Sequence, residues 1–135
     1  YHRVYQVKKD FPQCEISING GIKSLAEANE HLAHLDGVMI GREIYQSPYL
    51  LTEADQVIWG DTYTPLTRLE VIEQMADYVK RHVANDGKAW HVLRHMLGLC
   101  NGLPGARQFR RHLSEASGRE GANGQLLLDA FALVK

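Results

Sequence analysis

The stretch between residues 14 and 42 constrains the fold more than any other part of the chain. Ile16 and Ile18 are β-branched residues beside turn residues, which is typical of a short buried strand. Residues 38–40, Val-Met-Ile, form a second short apolar run. Between the two runs, residues 24–27 match a capping box and open a helical pattern. Its apolar positions are Leu25, Ala28, Leu32 and Leu35. Strand, helix and strand in this order predict a parallel βαβ unit.

Each predicted strand is followed by a turn suited to holding a phosphate group. Asn19, Gly20 and Gly21 follow the first strand, and Gly41 and Arg42 follow the second. Glycine lets the backbone approach a ligand closely, and arginine supplies a planar fork of donors that matches phosphate oxygens. Two neighbouring phosphate turns are typical of the last two βα units of a TIM barrel. The same glycines would also serve an ordinary βαβ unit, and the spacing alone does not separate the two interpretations.

The chain changes character after about residue 50. A helical pattern over residues 1–12 precedes the βαβ unit and ends at Pro12. Residues 52–66 are polar and irregular, which indicates a linker whose Trp59 and Tyr63 should pack on an apolar surface. From residue 67 onward the patterns predict only helices, over about 67–84, 88–100, 105–116 and 124–134. The first of them opens with a capping box, Thr67 with Glu70, and has Leu69 on its predicted apolar face. Four short helices of this kind form a small antiparallel bundle.

Composition narrows the possible functions. The chain has 135 residues, a net charge of −1 and 44% hydrophobic residues, as expected of a globular protein. No apolar run approaches the length of a membrane span. Cys14 and Cys100 lie far apart without metal-binding spacing, which indicates ordinary thiols in a reducing compartment. The chain opens without methionine inside a helical pattern, so we expect a fragment of a longer protein.

The near-neutral total charge hides a basic segment. Residues 87–113 contain no aspartate or glutamate. Within it, Arg107, Arg110 and Arg111 share one face of a predicted helix, and Phe109 lies on a neighbouring apolar arc. A solvated basic face and a surface that binds a phosphate backbone both fit this pattern.

Two histidine pairs also have helical spacing. His31 and His34 lie three residues apart, but no third metal ligand accompanies them. His91 and His95 lie four residues apart, without the glutamate of a zinc-protease motif. We predict no metal site.

Several motifs carry a family resemblance. Residues 18–22 (Ile-Asn-Gly-Gly-Ile) and 35–42 (Leu-Asp-Gly-Val-Met-Ile-Gly-Arg) resemble the end of the barrel in bacterial tRNA-dihydrouridine synthases of the A type. Residues 94–99 (Arg-His-Met-Leu-Gly-Leu), 102–107 and 110–115 resemble the helical domain of that subfamily. The match covers nearly the whole chain in the same order, and the helical-domain motifs are the more specific ones.

The resemblance implies a fold and an activity. It implies the last two βα units of an FMN-binding TIM barrel over residues 1–51, a linker over 52–66 and a helical tRNA-recognition domain over 67–135. In the family, reduced FMN, replenished by NADPH, delivers hydride to the C5=C6 bond of a D-loop uridine, at positions 20 and 20a for the A type. It also implies a cytoplasmic enzyme that contacts the tRNA elbow. The implied FMN-phosphate residues are Asn19, Gly20, Gly21, Gly41 and Arg42. The implied tRNA-binding residues are Arg107 and Arg110, and we add Arg111 because it shares their basic helix face.

The resemblance also implies what this chain does not contribute. The catalytic cysteine of the family precedes the region matched here, and neither Cys14 nor Cys100 occupies its position. We therefore expect no catalytic residue in this chain and no dihydrouridine formation by it alone. Two alternatives are an FMN or sugar-phosphate TIM-barrel enzyme acting on a small molecule and a stand-alone RNA-binding module. The sequence does not predict an oligomeric state.

Overall fold

The computed structural model describes all residues from Tyr1 to Lys135. The chain forms two compact units, Tyr1–Ile44 with Leu50–Thr64, and Tyr45–Tyr49 with Pro65–Lys135. In chain order the elements are α1 (His2–Asp10), β1 (Ser17–Asn19), α2 (Leu25–Leu32), β2 (Gly37–Met39), α3 (Arg42–Gln46), a 3₁₀ helix (Pro48–Glu53), α4 (Ala54–Trp59), α5 (Arg68–Ala84), α6 (Ala89–Leu93), α7 (Ala106–Ala116) and α8 (Gln125–Phe131). None of these helices has the length and apolar content needed to cross a membrane.

The first unit contains the βαβ unit that the sequence predicts. Strands β1 and β2 are parallel and adjacent, with Ile18 opposite Val38, and α2 connects them. The hydroxyl of Ser24 accepts a hydrogen bond from the backbone N–H of Glu27, at 3.1 Å, and so caps α2. The Glu27 carboxylate accepts the N–H of Lys23 and not that of Ser24, so the predicted box is closed one residue earlier. The buried core of this unit includes Ile18, Ile22, Ala28 and Leu35.

The irregular backbone predicted over residues 52–66 is wrong in its first half. The structure places α4 there, ending at Gly60, and Ile58 packs against the core of the first unit. The polar composition of this stretch hid a helix that needs only a narrow apolar contact. Trp59 does not pin the segment, because it is 72% exposed. It follows Ile58 on the helix and therefore points about 100° away. Tyr63 instead donates its hydroxyl proton to the Thr52 carbonyl.

The first helix is also less buried than its pattern suggests. Val7 and Phe11 are exposed to 44% and 52%, and only Val4 and Tyr5 of α1 pack against the core of the first unit. The apolar stripe of α1 is therefore only partly covered.

The second unit is a small helical bundle. Helix α8 packs on both α5 and α7, and the largest fully buried side chains of the unit share one core. These are Ile72, Val79, Leu93, Cys100, Leu113, Leu127 and Phe109. The predicted capping box of α5 is confirmed, since Thr67 and Glu70 bond each other's backbone N–H groups. Leu69, predicted on the apolar face, is 45% exposed.

The helix predicted over 88–100 ends early. Helix α6 stops at Leu93, and turns continue to Gly105. The apolar residues Met96, Leu99 and Cys100 are nevertheless buried in these turns. Burial without helical geometry satisfies the same apolar pattern, which is why the periodicity alone overestimated the helix.

Candidate functional site

The two glycine turns follow the carboxyl ends of the two parallel strands, at the same side of the sheet. Asn19 is paired with Met39, so the residues that follow each strand emerge at its carboxyl end. Gly20 and Gly21 follow β1 directly, and Gly41 and Arg42 follow β2 after one further residue. All five predicted residues, Asn19, Gly20, Gly21, Gly41 and Arg42, are exposed. The structure therefore brings the predicted phosphate residues to one edge of the sheet.

The donors at this edge have the chemistry of a phosphate site. Gly21 has a φ of 71°, a left-handed conformation that other residues adopt only with strain. The backbone N–H groups of Gly21 and Gly41 donate no hydrogen bond within the chain. Arg42, at the start of α3, has no carboxylate partner. Two unused N–H groups and an unpaired guanidinium fit the phosphate end of a nucleotide cofactor.

Aromatic side chains support the first of the two turns. The hydroxyl of Tyr1 donates to the Gly20 carbonyl at 2.7 Å, and its ring meets the His31 ring edge-on at 4.5 Å. Desolvation, followed by the nearby Glu27 carboxylate, raises the pKa of Tyr1. Tyr5 shares a 2.5 Å hydrogen bond with Nδ1 of His31, whose side chain is buried. His31 thus packs inside the unit, and no local sequence pattern predicts these contacts.

An ion pair holds the opposite edge of the strands. Nζ of Lys8 lies 2.7 Å from Oδ2 of Asp36, just before β2. The same carboxylate accepts the backbone N–H of Ile16, just before β1, at 2.8 Å. Both hydrogen bonds lower the pKa of Asp36, and the one from Lys8 contributes most. Asp36 therefore ties α1 to the amino-terminal ends of both strands.

The predicted amphipathic character of α7 is confirmed, but its three arginines differ. All three are exposed, while Phe109 and Leu113 are fully buried. Arg111 forms a 2.8 Å ion pair with Glu115, which raises the pKa of Arg111 and lowers that of Glu115. Arg110 donates to Oδ1 of Asn101 at 2.6 Å. Arg107 has no hydrogen-bond or ion-pair partner within the chain. The unpaired positive charge of this face therefore comes from Arg107 and Arg110.

Hydrogen bonds extend this basic face beyond α7. The amide nitrogen of Asn101 donates to the Gln46 carbonyl, so Asn101 joins Arg110 to the end of α3. Next to Gln46, the Tyr45 hydroxyl lies 3.2 Å from Nδ1 of His95. Sequence reasoning missed these contacts, because their partners lie 50 or more residues apart.

Neither cysteine is placed as a nucleophile. Cys14 is exposed, and Cys100 is fully buried. Burial raises the pKa of the Cys100 thiol to about 11, although the Arg68 charge opposes the shift. The structure groups no three His, Cys, Asp or Glu side chains in a way that could hold a metal ion.

Comparison with known proteins identifies the family. The sequence profile described as "Dihydrouridine synthase (Dus)" matches residues 1–135. The tRNA-dihydrouridine(20/20a) synthase of Vibrio vulnificus is 51% identical over 134 residues, which cover 99% of this chain and 41% of that protein. The enzyme of the same name from Shewanella oneidensis is 50% identical over 135 residues, which cover 100% of this chain and 40% of that protein. The chain thus spans about 40% of the length of these relatives. It belongs to the dihydrouridine synthase family.

Proposed function

We propose that this chain is the C-terminal portion of a cytoplasmic tRNA-dihydrouridine synthase that reduces uridine at positions 20 and 20a of the D-loop. The observation that carries the proposal is the pairing of two features in one member of the family. One is the pair of phosphate turns at a single strand edge, and the other is the unpaired arginine face of α7. A small-molecule enzyme has no need of the second, and a plain RNA-binding module has no need of the first.

The first unit fits the end of a TIM barrel. Its parallel strands, β1 and β2, are joined by a helix, as in successive βα units. We assign residues 1–51 to the barrel and 67–135 to tRNA recognition. We keep residues 52–66 as the connecting segment in sequence, although part of it is helical and Leu50–Thr64 belong to the first compact unit.

The phosphate turns are assigned to the FMN phosphate. Arg42 would provide a charge-assisted contact, and the N–H groups of Gly21 and Gly41 would complete the cradle. Bound FMN, reduced by NADPH, supplies the hydride. The residues of this chain bind and orient the cofactor and the tRNA. The resemblance places the catalytic cysteine at neither Cys14 nor Cys100, so we expect this chain to be inactive alone.

The test of the proposal is the binding of an unmodified tRNA transcript by the intact chain. Replacing both Arg107 and Arg110 with alanine should weaken binding and reduce the slope of log affinity against log salt by about 0.7–0.9 per lost phosphate contact. Both side chains are exposed, so the melting temperature should barely change.

Two variants serve as matched controls. Lys9→Ala removes an exposed charge from α1, and it is a cleaner control than Lys8, which pairs with Asp36. Arg111→Ala should have a smaller effect than either free arginine, because Glu115 already neutralises Arg111. Equal binding by the double variant and the parent chain at low and moderate salt would refute α7 as the RNA-binding element.

A further inference from the structure

A cavity of about 350 Å³ opens on the second unit, and none of the residues proposed to bind the FMN phosphate or tRNA lines it. Its lining comes from α5 and from the segment that begins with α6. The residues are Met75, Tyr78, His91, Val92, His95 and Met96. Methionine and valine side chains form an apolar interior, while one phenol and two imidazole rings provide flat walls. No carboxylate lines the cavity.

Two of the rings that line the cavity have His82 as a neighbour. The ring of Tyr78 lies parallel to that of His82, with 6.4 Å between their centroids and an interplanar angle of 8°, and His82 meets His91 edge-on at 5.8 Å. Gly87 packs directly on the His82 ring, where any Cβ would overlap it, and the Gly87 N–H donates to the His82 carbonyl at 2.9 Å. The turn after α5 therefore holds His82 in place, and His82 contacts the ring of His91.

A defined set of donors surrounds His95, which lines the cavity. Nε of Arg94 donates to Nε2 of His95 at 3.1 Å, so Nε2 acts as an acceptor. In the neutral ring the proton then resides on Nδ1, which donates to the Tyr45 hydroxyl oxygen at 3.2 Å. The Tyr45 O–H, on a side chain that is 62% exposed, is left to donate outward. The terminal nitrogens of Arg94 also make no hydrogen bond within the chain.

The cavity is connected to the basic face of α7. Arg110 donates to Asn101, Asn101 donates to the Gln46 carbonyl, and Tyr45 precedes Gln46. This hydrogen-bonded row runs from α7 to His95, which lines the cavity, and none of its members is acidic. A negatively charged polymer backbone that lay along these residues would bring its side groups to the cavity.

We propose that this cavity receives one unstacked nucleobase of the RNA that lies along α7. The inference rests on the proposed function, because it takes RNA as the ligand of that surface. Every nucleobase offers a flat aromatic face, so stacking on Tyr78 and His91 does not depend on base identity. The terminal nitrogens of Arg94 reach the adjoining phosphate, and the Tyr45 hydroxyl donates to an acceptor on the base or the sugar.

The experiment measures binding of two probes to the intact chain by fluorescence anisotropy. One probe is an unmodified tRNA transcript, which has unpaired loop bases, and the other is a short RNA duplex without them. Tyr78→Ala should weaken transcript binding by about tenfold. Duplex affinity and the salt slope should not change, because no base is unstacked in the duplex and no charge is lost.

Two further variants separate stacking from folding. Tyr78→Phe keeps the ring, so it should bind the transcript as the parent chain does. His91→Ala, at an exposed position, should weaken transcript binding in the same selective way. A Tyr78→Ala variant that melts like the parent and binds the transcript equally well would overturn the proposal. A Tyr78→Phe variant as weak as the alanine variant would also overturn it.

The Arg107 and Arg110 double variant distinguishes failure of the nucleobase proposal from failure of the proposed function. If the Arg107 and Arg110 double variant loses transcript binding while Tyr78→Ala and His91→Ala do not, the RNA surface stands and the nucleobase cavity is refuted. If the parent chain does not bind the transcript at all, the proposed function itself fails, and the cavity assignment fails with it.

Discussion

Individual residues on one helix face have different partners although they share a charge. Arg107, Arg110 and Arg111 are predicted from the sequence as a single basic group, and their common exposure confirms that arrangement. Helical periodicity could not reveal that Arg110 is held by Asn101, because this contact depends on the turns before α7. The Arg111–Glu115 pair, in contrast, is local and could be anticipated from its i, i+4 spacing.

Arg42 provides the sharpest test at the phosphate turns. In a full-length synthase that carries this segment, Arg42→Ala should weaken FMN binding by about ten- to a hundredfold, because a charge-assisted hydrogen bond contributes about 1.5–3 kcal/mol. Quenching of flavin fluorescence on titration gives the dissociation constant. Arg3→Ala, an exposed change on α1, is the control. An unchanged FMN dissociation constant would mean that Arg42 only begins a helix.

Cys100 should make stability sensitive to alkaline pH. Its thiol has a pKa of about 11 in the folded chain against an ordinary value of 9.0. Between these values the unfolded thiol has lost its proton while the folded one keeps it, so the folded state is progressively disfavoured as pH rises. The free energy of unfolding should fall by about 1.4 kcal/mol per pH unit in that window, relative to Cys100→Ala. Urea unfolding of both chains measures the difference, and parallel pH profiles would contradict it.

Whole elements follow their local signals where those signals are complete. The βαβ unit and the α5 capping box were both predictable, because turn residues, caps and periodicity agree with one another there. The sequence patterns did not predict α4, and they placed the end of α6 too late. In α4 a few apolar contacts outweigh a polar composition, and after Leu93 the buried side chains are carried by turns. Tertiary packing decided both cases, and no local pattern encodes it.

The cap of α5 is the element whose contribution is most easily measured. Thr67→Ala removes the hydroxyl that accepts the Glu70 N–H, and it should lower the free energy of unfolding by about 1 kcal/mol. Thr62→Ala, at an exposed position outside any helix, is the matched control. Chemical unfolding at neutral pH gives both values. A Thr67→Ala chain as stable as the control variant would show that the cap is dispensable.

At the scale of the whole molecule, the sequence predicts an α/β part followed by helices, and the structure shows two compact units. Their boundary could not be read from the sequence, because residues 45–49 belong to the second unit although they precede the end of the first. The chain enters the second unit at residue 45 and returns to the first at residue 50, and the amino-acid composition does not change at either point. The predicted phosphate and arginine residues nevertheless lie where their motifs place them, at a strand edge and on a helix face.

The fully bonded amide of Asn101 has a consequence for how the protein ages. Asparagine followed by glycine deamidates when the glycine nitrogen attacks the side-chain carbonyl, and this chain has three such pairs, at residues 19–20, 101–102 and 123–124. Asn101 has both ends of its amide engaged, and Asn123 accepts the N–H of Gln125. Asn19 is exposed and has no side-chain hydrogen bond. On storage at mildly alkaline pH, peptide mapping should find aspartate and isoaspartate first at residue 19. Deamidation during storage would therefore introduce a negative charge first in the turn that we assign to the phosphate.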